Sequence, residues 1–73
     1  MISNQQTARS VSDLMLEIGS KLNDSVAQVQ ATCTEAEFNQ YRGAVGTIMG
    51  GLLFEVMNPL YAAHPELKPS QLK

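Results

Sequence analysis

Apolar residues recur at steps of three and four through the first half of the chain, at Val11, Leu14, Met15, Ile18, Leu22, Val26, Val29 and Cys33. At 100° per residue they fall in one stripe about 120° wide, the pattern of an amphipathic helix. Asp13, Glu17, Lys21 and Asp24 take the opposite side, and Glu17 stands four before Lys21, the order that favours a surface ion pair. No proline falls between Asn4 and Gln30, and Gly19 is the only glycine there. Ser3 and Gln6 have capping-box spacing, so a first helix is predicted over about 4–30.

Thr32-Cys33-Thr34 interrupts that pattern with polar and β-branched residues. Thr34 stands three before Glu37, with Phe38 following, which is a second capping box. Glu35 and Glu37 place negative charge in the first turn, where the helix dipole favours it. A second helix is predicted over about 35–57, with Phe38, Tyr41, Val45, Ile48, Met49, Leu52, Leu53 and Val56 on its apolar face. Asn58-Pro59 should end or kink it, because proline lacks the N–H and disfavours helical geometry in the residue before it. Asn58 is then expected to cap a short extra turn over about 59–64 with Pro59 at its first position.

A short connection makes the two helices antiparallel. Folding about it sets Val29 beside Phe38, Leu22 beside Val45, Ile18 beside Met49 and Val11 beside Val56, apolar against apolar at each level. The expected fold is all-α, an antiparallel helical hairpin domain over 1–64 with a Pro-containing irregular tail over 65–73.

Gly43, Gly46, Gly50 and Gly51 interrupt the second helix, and each glycine costs roughly 1 kcal/mol there relative to alanine. On the wheel Gly43, Gly46 and Gly50 form a strip beside the apolar face, which Phe54, Met57 and Tyr61 extend toward the C-terminus. Three readings fit. The strip is a seam where the second helices of two copies cross; or it accommodates the first helix of the same chain; or it weakens the helix and leaves its middle mobile. Leu16, off the main stripe of the first helix and opposite the glycines, supports the seam. The expected interface is therefore Leu16, Gly43, Gly46, Gly50, Phe54, Met57 and Tyr61, closing two hairpins into a homodimeric four-helix bundle.

Length sharpens that expectation. Seventy-three residues form one domain, and a core this small seldom stabilises a fold by more than about 3–5 kcal/mol without a staple. One cysteine and one histidine exclude an intrachain disulfide and a closed single-chain zinc site, which leaves oligomerisation. Charged residues are only 16% of the chain, too few to cover two separate helices. The net charge is −2 and the five basic residues are scattered, so no nucleic-acid footprint exists. The first residues lack the basic start and apolar run of a secretory signal, and a cytoplasmic location is expected.

The glycine segment also resembles a membrane helix, since Glu55 is the only charge from Gly43 to His64 and Gly46-x-x-x-Gly50 has membrane-dimer spacing. The uncharged run before Glu55 is twelve residues, short of the roughly 20 a span requires. Membrane contact is thus the alternative to a soluble interaction module.

Chemistry-bearing residues are sparse. Cys33 is expected as a small buried hydrophobe closing the first stripe, with a reactive thiol near a helix start as the alternative. His64 is expected to be solvated at a helix end. Arg42, within the apolar face, either lays its stem over Phe38 or Val26 or pairs with Glu35 or Asp24. A site between subunits built from Cys33, His64 or Tyr61 is the weakest idea. Leu67 and Leu72 in the tail are candidate anchors for a partner. No catalytic set, phosphate loop or metal cluster is legible, so no enzyme activity, metal or cofactor is expected.

Overall fold

The computed structural model describes residues 1–69, and every described element is helical. Helix α1 spans Gln5–Thr32, α2 spans Glu35–Gly51, a π turn covers Leu52–Met57, and α3 spans Asn58–Ala63. A 3-10 turn, Pro65–Leu67, follows. The two long arms fold back on each other as a helical hairpin measuring 44 × 20 × 16 Å.

Helix α1 starts one residue later than the Ser3 box implied. Asn4 is extended (φ −75°, ψ 118°) and its side-chain oxygen accepts the Thr7 N–H at 2.9 Å. An amide oxygen on so short a side chain reaches the third N–H as well as a hydroxyl does. The second box forms as predicted. Thr34 Oγ1 accepts the Glu37 N–H at 3.2 Å, and Glu37 Oε1 accepts the Thr34 N–H at 2.9 Å. These two backbone hydrogen bonds fix the corner. The Glu17–Lys21 pair also forms, at 3.1 Å on the exposed side.

The expected break at Asn58-Pro59 does not occur. Asn58 is helical (φ −61°, ψ −49°), caps nothing, and donates its N–H to the Leu53 carbonyl, five residues back. A regular α turn would drive the Pro59 ring against the carbonyl four residues earlier. The wider π turn just before it lets the helix pass through to Ala63. Because that turn holds one residue more, everything beyond it lags by about 100° on the wheel. Met57 and Tyr61, placed on the glycine strip by a regular 3.6 period, are carried round to face α1 and are buried.

The buried cluster therefore sits at the open end of the hairpin: Ala8 from α1 against Met57, Leu60 and Tyr61, flanked by Ile2, Val11, Met15, Leu52, Leu53 and Leu67. Helix α1 turns a different line inward from the one its apolar stripe marks. Ala8, Ser12 and Gly19 are its buried residues, whereas Leu14 is 49% exposed and Ile18 and Leu22 are only half-buried. Small side chains on the contact line let the helices come close. A Cβ on Gly19 would meet Met49 Cε at 3.5 Å.

Two serine–tyrosine hydrogen bonds cross that line. Ser12 Oγ and Tyr61 Oη are 2.5 Å apart within the buried cluster. Toward the corner, Ser25 Oγ donates to the Leu22 carbonyl at 2.7 Å, so Tyr41, 2.8 Å away, donates its hydroxyl to Ser25. Ser25–Tyr41, like Gly19–Met49, keeps the level expected from folding about the corner, whereas Ser12 meets Tyr61, beyond the π turn, rather than a residue near Val56.

A candidate self-association surface

The glycines of α2 are the most informative positions. A Cβ built on Gly43, Gly46, Gly50 or Gly51 would meet no atom within 4 Å. They do not accommodate α1; that task falls to Gly19, on the other helix. One of the three readings of the strip is thereby removed. The helix gives up backbone stability at four places and gains no contact there within the chain.

Large apolar side chains frame the strip. Phe54 continues the line of Gly46 and Gly50 by one turn and is 70% exposed, the most exposed large apolar side chain described. Leu16 on α1 is also exposed. Between the helices lies a groove of about 890 Å³ walled by Met15, Leu16, Leu52 and Leu53 and floored by Gly19 and Gly50. Ser20, Asn23 and Asp24 close its polar end. Of the seven residues expected at an interface, Leu16 and Gly50 line this groove, while Gly43, Gly46 and Phe54 lie outside it and are exposed. Met57 is buried in the hairpin with only its edge on the groove, and Tyr61 is held by Ser12. The rotation given above takes both off the expected seam.

The chain exposes 5132 Å². A compact monomer of 7.9 kDa exposes about 4,400 Å², so roughly 700 Å² is in excess. A second apolar shoulder contributes on the opposite side, where Leu14 and Ile48, 51% exposed, flank the half-buried Ile18.

The remaining candidates lie elsewhere. Cys33 is exposed rather than buried. α1 stops at Thr32, and the extended backbone of Cys33 (φ −119°, ψ 173°) takes its side chain out of the helical stripe. His64 is 9% exposed, not solvated. Pro65 turns the chain back, and His64 Nε2 lies 2.7 Å from the Ile2 carbonyl oxygen, which can only accept, so Nε2 carries the hydrogen. Its Nδ1 lies 3.6 Å from Glu66 Oε2, and Gln5 reaches the same carboxylate at 3.4 Å. Residues far apart in sequence thus clasp the open end together. With Tyr61 also engaged there and Cys33 at the corner, the hairpin does not bring these three into one site.

Arg42 settles over Phe38, its guanidinium carbon 5.3 Å from the ring centroid, a cation–π contact. Among the described residues it forms no ion pair with Glu35 or Asp24, whereas Glu17 and Lys21 do pair. At the corner the acidity of Glu37 is displaced. Hydrogen bonds from the Thr34 backbone N–H and then from its hydroxyl hold the carboxyl below its ordinary value. In the tail, Leu67 packs against the buried cluster, while Leu72 lies outside the described residues.

Sequence reasoning missed Gly19, Ser12 and the tyrosine hydroxyls. A lone glycine inside a helical pattern was the available signal for the first. No protein-family model matches the chain, and no curated protein or solved structure is significantly similar to it.

Proposed function

We propose that this chain is a non-enzymatic, self-associating helical interaction module, an adaptor, accessory subunit or small regulator, in which two hairpins pair through α2 into a four-helix bundle. The observation that carries the reading is the empty space over Gly43, Gly46 and Gly50 beside an exposed Phe54 and Leu16. Covering that side removes apolar surface from water at about 25 cal/mol per Å². A standard interface buries about 800 Å² per partner, close to the excess this chain exposes. The test is light scattering across a dilution series with helicity followed in parallel. A dimer that loses helicity as it dissociates supports the reading; a stable, helical monomer at every concentration refutes it.

One observation favours a second reading, a membrane-peripheral or membrane-active protein. The helix runs without a break from Glu35 to Ala63, 29 residues, with a mean hydropathy of 1.2 over its most apolar window, of which 17% is buried. At 1.5 Å per residue that exceeds the roughly 30 Å of a hydrocarbon core. Glu55 and Asn58 within it weigh against insertion. Flotation with neutral lipid vesicles separates the two readings: protein that stays with the aqueous fraction at all lipid concentrations removes the membrane.

A further inference from the structure

The pairing has a register that side-chain sizes select. Resting on the self-association reading above, we propose that the open space over Gly46 is filled by Phe54 of a second copy. The two α2 helices run antiparallel about a two-fold axis at Gly50, so that each Phe54 lies over the partner's Gly46. In that arrangement positions equidistant from Gly50 face one another. Gly46 and Phe54 are each four residues from it: Gly46 one regular turn before, about 6 Å along the helix, and Phe54 after it, in the first residues of the π turn. Phe54 is the most exposed large apolar side chain, and the space above Gly46 is empty to at least 4 Å. Large meets small at both symmetry-related contacts, which is how close-packed layers interdigitate.

A parallel crossing does the reverse. It sets Phe54 against Phe54 and leaves Gly46 facing Gly46, so one level is crowded and the other hollow. It also brings the two Arg42 guanidinium groups to the same level, which the antiparallel crossing avoids. The groove at Gly50, walled by Leu16 and Leu53, gives each aromatic ring an apolar edge to pack on. The excess of roughly 700 Å² over a compact monomer is of the size one partner loses at a standard interface, about 800 Å².

Single-thiol variants test the register. Cys33→Ser removes the natural thiol, which lies exposed at the corner, away from the seam. In that background, Gly46→Cys and Phe54→Cys proteins are oxidised mildly, each alone and as an equimolar mixture. The mixed pair retains one Phe54–Gly46 contact while juxtaposing the two thiols. The expected result is a disulfide-linked heterodimer formed at least several-fold faster in the mixture than either homodimer alone. Faster homodimer crosslinking in either single protein overturns the antiparallel register while leaving self-association intact. The same holds for no crosslinking by proteins that light scattering shows to be dimeric. If the unmodified chain scatters as a monomer, the self-association reading itself falls, and the groove belongs to a different protein or a lipid surface.

Discussion

The open end of the hairpin and its glycine-bearing middle are built on opposite terms. At the open end Ala8, Met57, Leu60 and Tyr61 are buried, Ser12 and Tyr61 satisfy each other, and His64 holds the first residues down through the Ile2 carbonyl. In the middle, four glycines face open space and Leu16, Ile48 and Phe54 stand exposed. Both regions come from the same pair of helices, so helix formation does not distinguish them. The difference is what each helix presents at its contact line. A chain of 73 residues has closed one end completely and left an apolar, closely approachable side elsewhere. Burial within the chain is concentrated at the end, and the middle is where apolar surface is left uncovered.

Substitutions at the closed end should have the largest effects. Leu60 is fully buried, and Leu60→Ala should cost about 2–5 kcal/mol, read from the denaturant midpoint at fixed protein concentration. A loss below about 1 kcal/mol would mean the end is not the anchor described. Tyr61→Phe removes one partner of the buried hydroxyl pair and should cost about 1–3 kcal/mol. Adding Ser12→Ala should then cost far less than it does alone, since no unsatisfied hydroxyl remains. Additive losses in that double-mutant cycle would show that the two groups are not coupled.

The smallest effect belongs to the corner. Because hydrogen bonds from Thr34 depress the pKa of Glu37 in the folded state, its contribution is present above the unfolded value. It disappears as pH falls through the folded one. Wild type should therefore exceed Glu37→Gln in midpoint temperature near neutrality by a small margin. That margin should close as pH drops below 4.5, the ordinary value for the group. A difference that stays constant through the acid range would remove the charge-assisted part of the box.

Much of the hairpin was legible in sequence because it depends on short-range signals. The Thr34–Glu37 box, the 3.6-residue period and the short corner each act within a few residues. The π turn was not legible, since a wheel drawn at a constant 100° assumes the regularity that Pro59 disturbs. One wider turn was enough to move Met57 and Tyr61 from the seam to the interior. The true contact line of α1 escaped for a related reason: hydrophobic periodicity weights Leu14 and Ile18 above Ala8, Ser12 and Gly19, but close approach selects small residues. The His64–Ile2 clasp joins residues 62 apart in sequence, a separation at which composition carries no signal. The glycine strip itself was visible, and the structure adds that nothing within the chain fills the space beside it.

That empty space allows a direct test. In an isolated hairpin, alanine or leucine at Gly46 has room and gains roughly 0.8–1 kcal/mol of helix propensity, so either substitution should stabilise it. If a second copy occupies the space, leucine should instead displace it. The decisive measurement is the midpoint temperature of wild type and Gly46→Leu across a wide range of protein concentration. The account predicts a wild-type midpoint that rises with concentration, as for any association-coupled fold, and a Gly46→Leu midpoint that is lower and rises far less. A concentration-independent wild-type midpoint, with Gly46→Leu more stable than wild type, would contradict it.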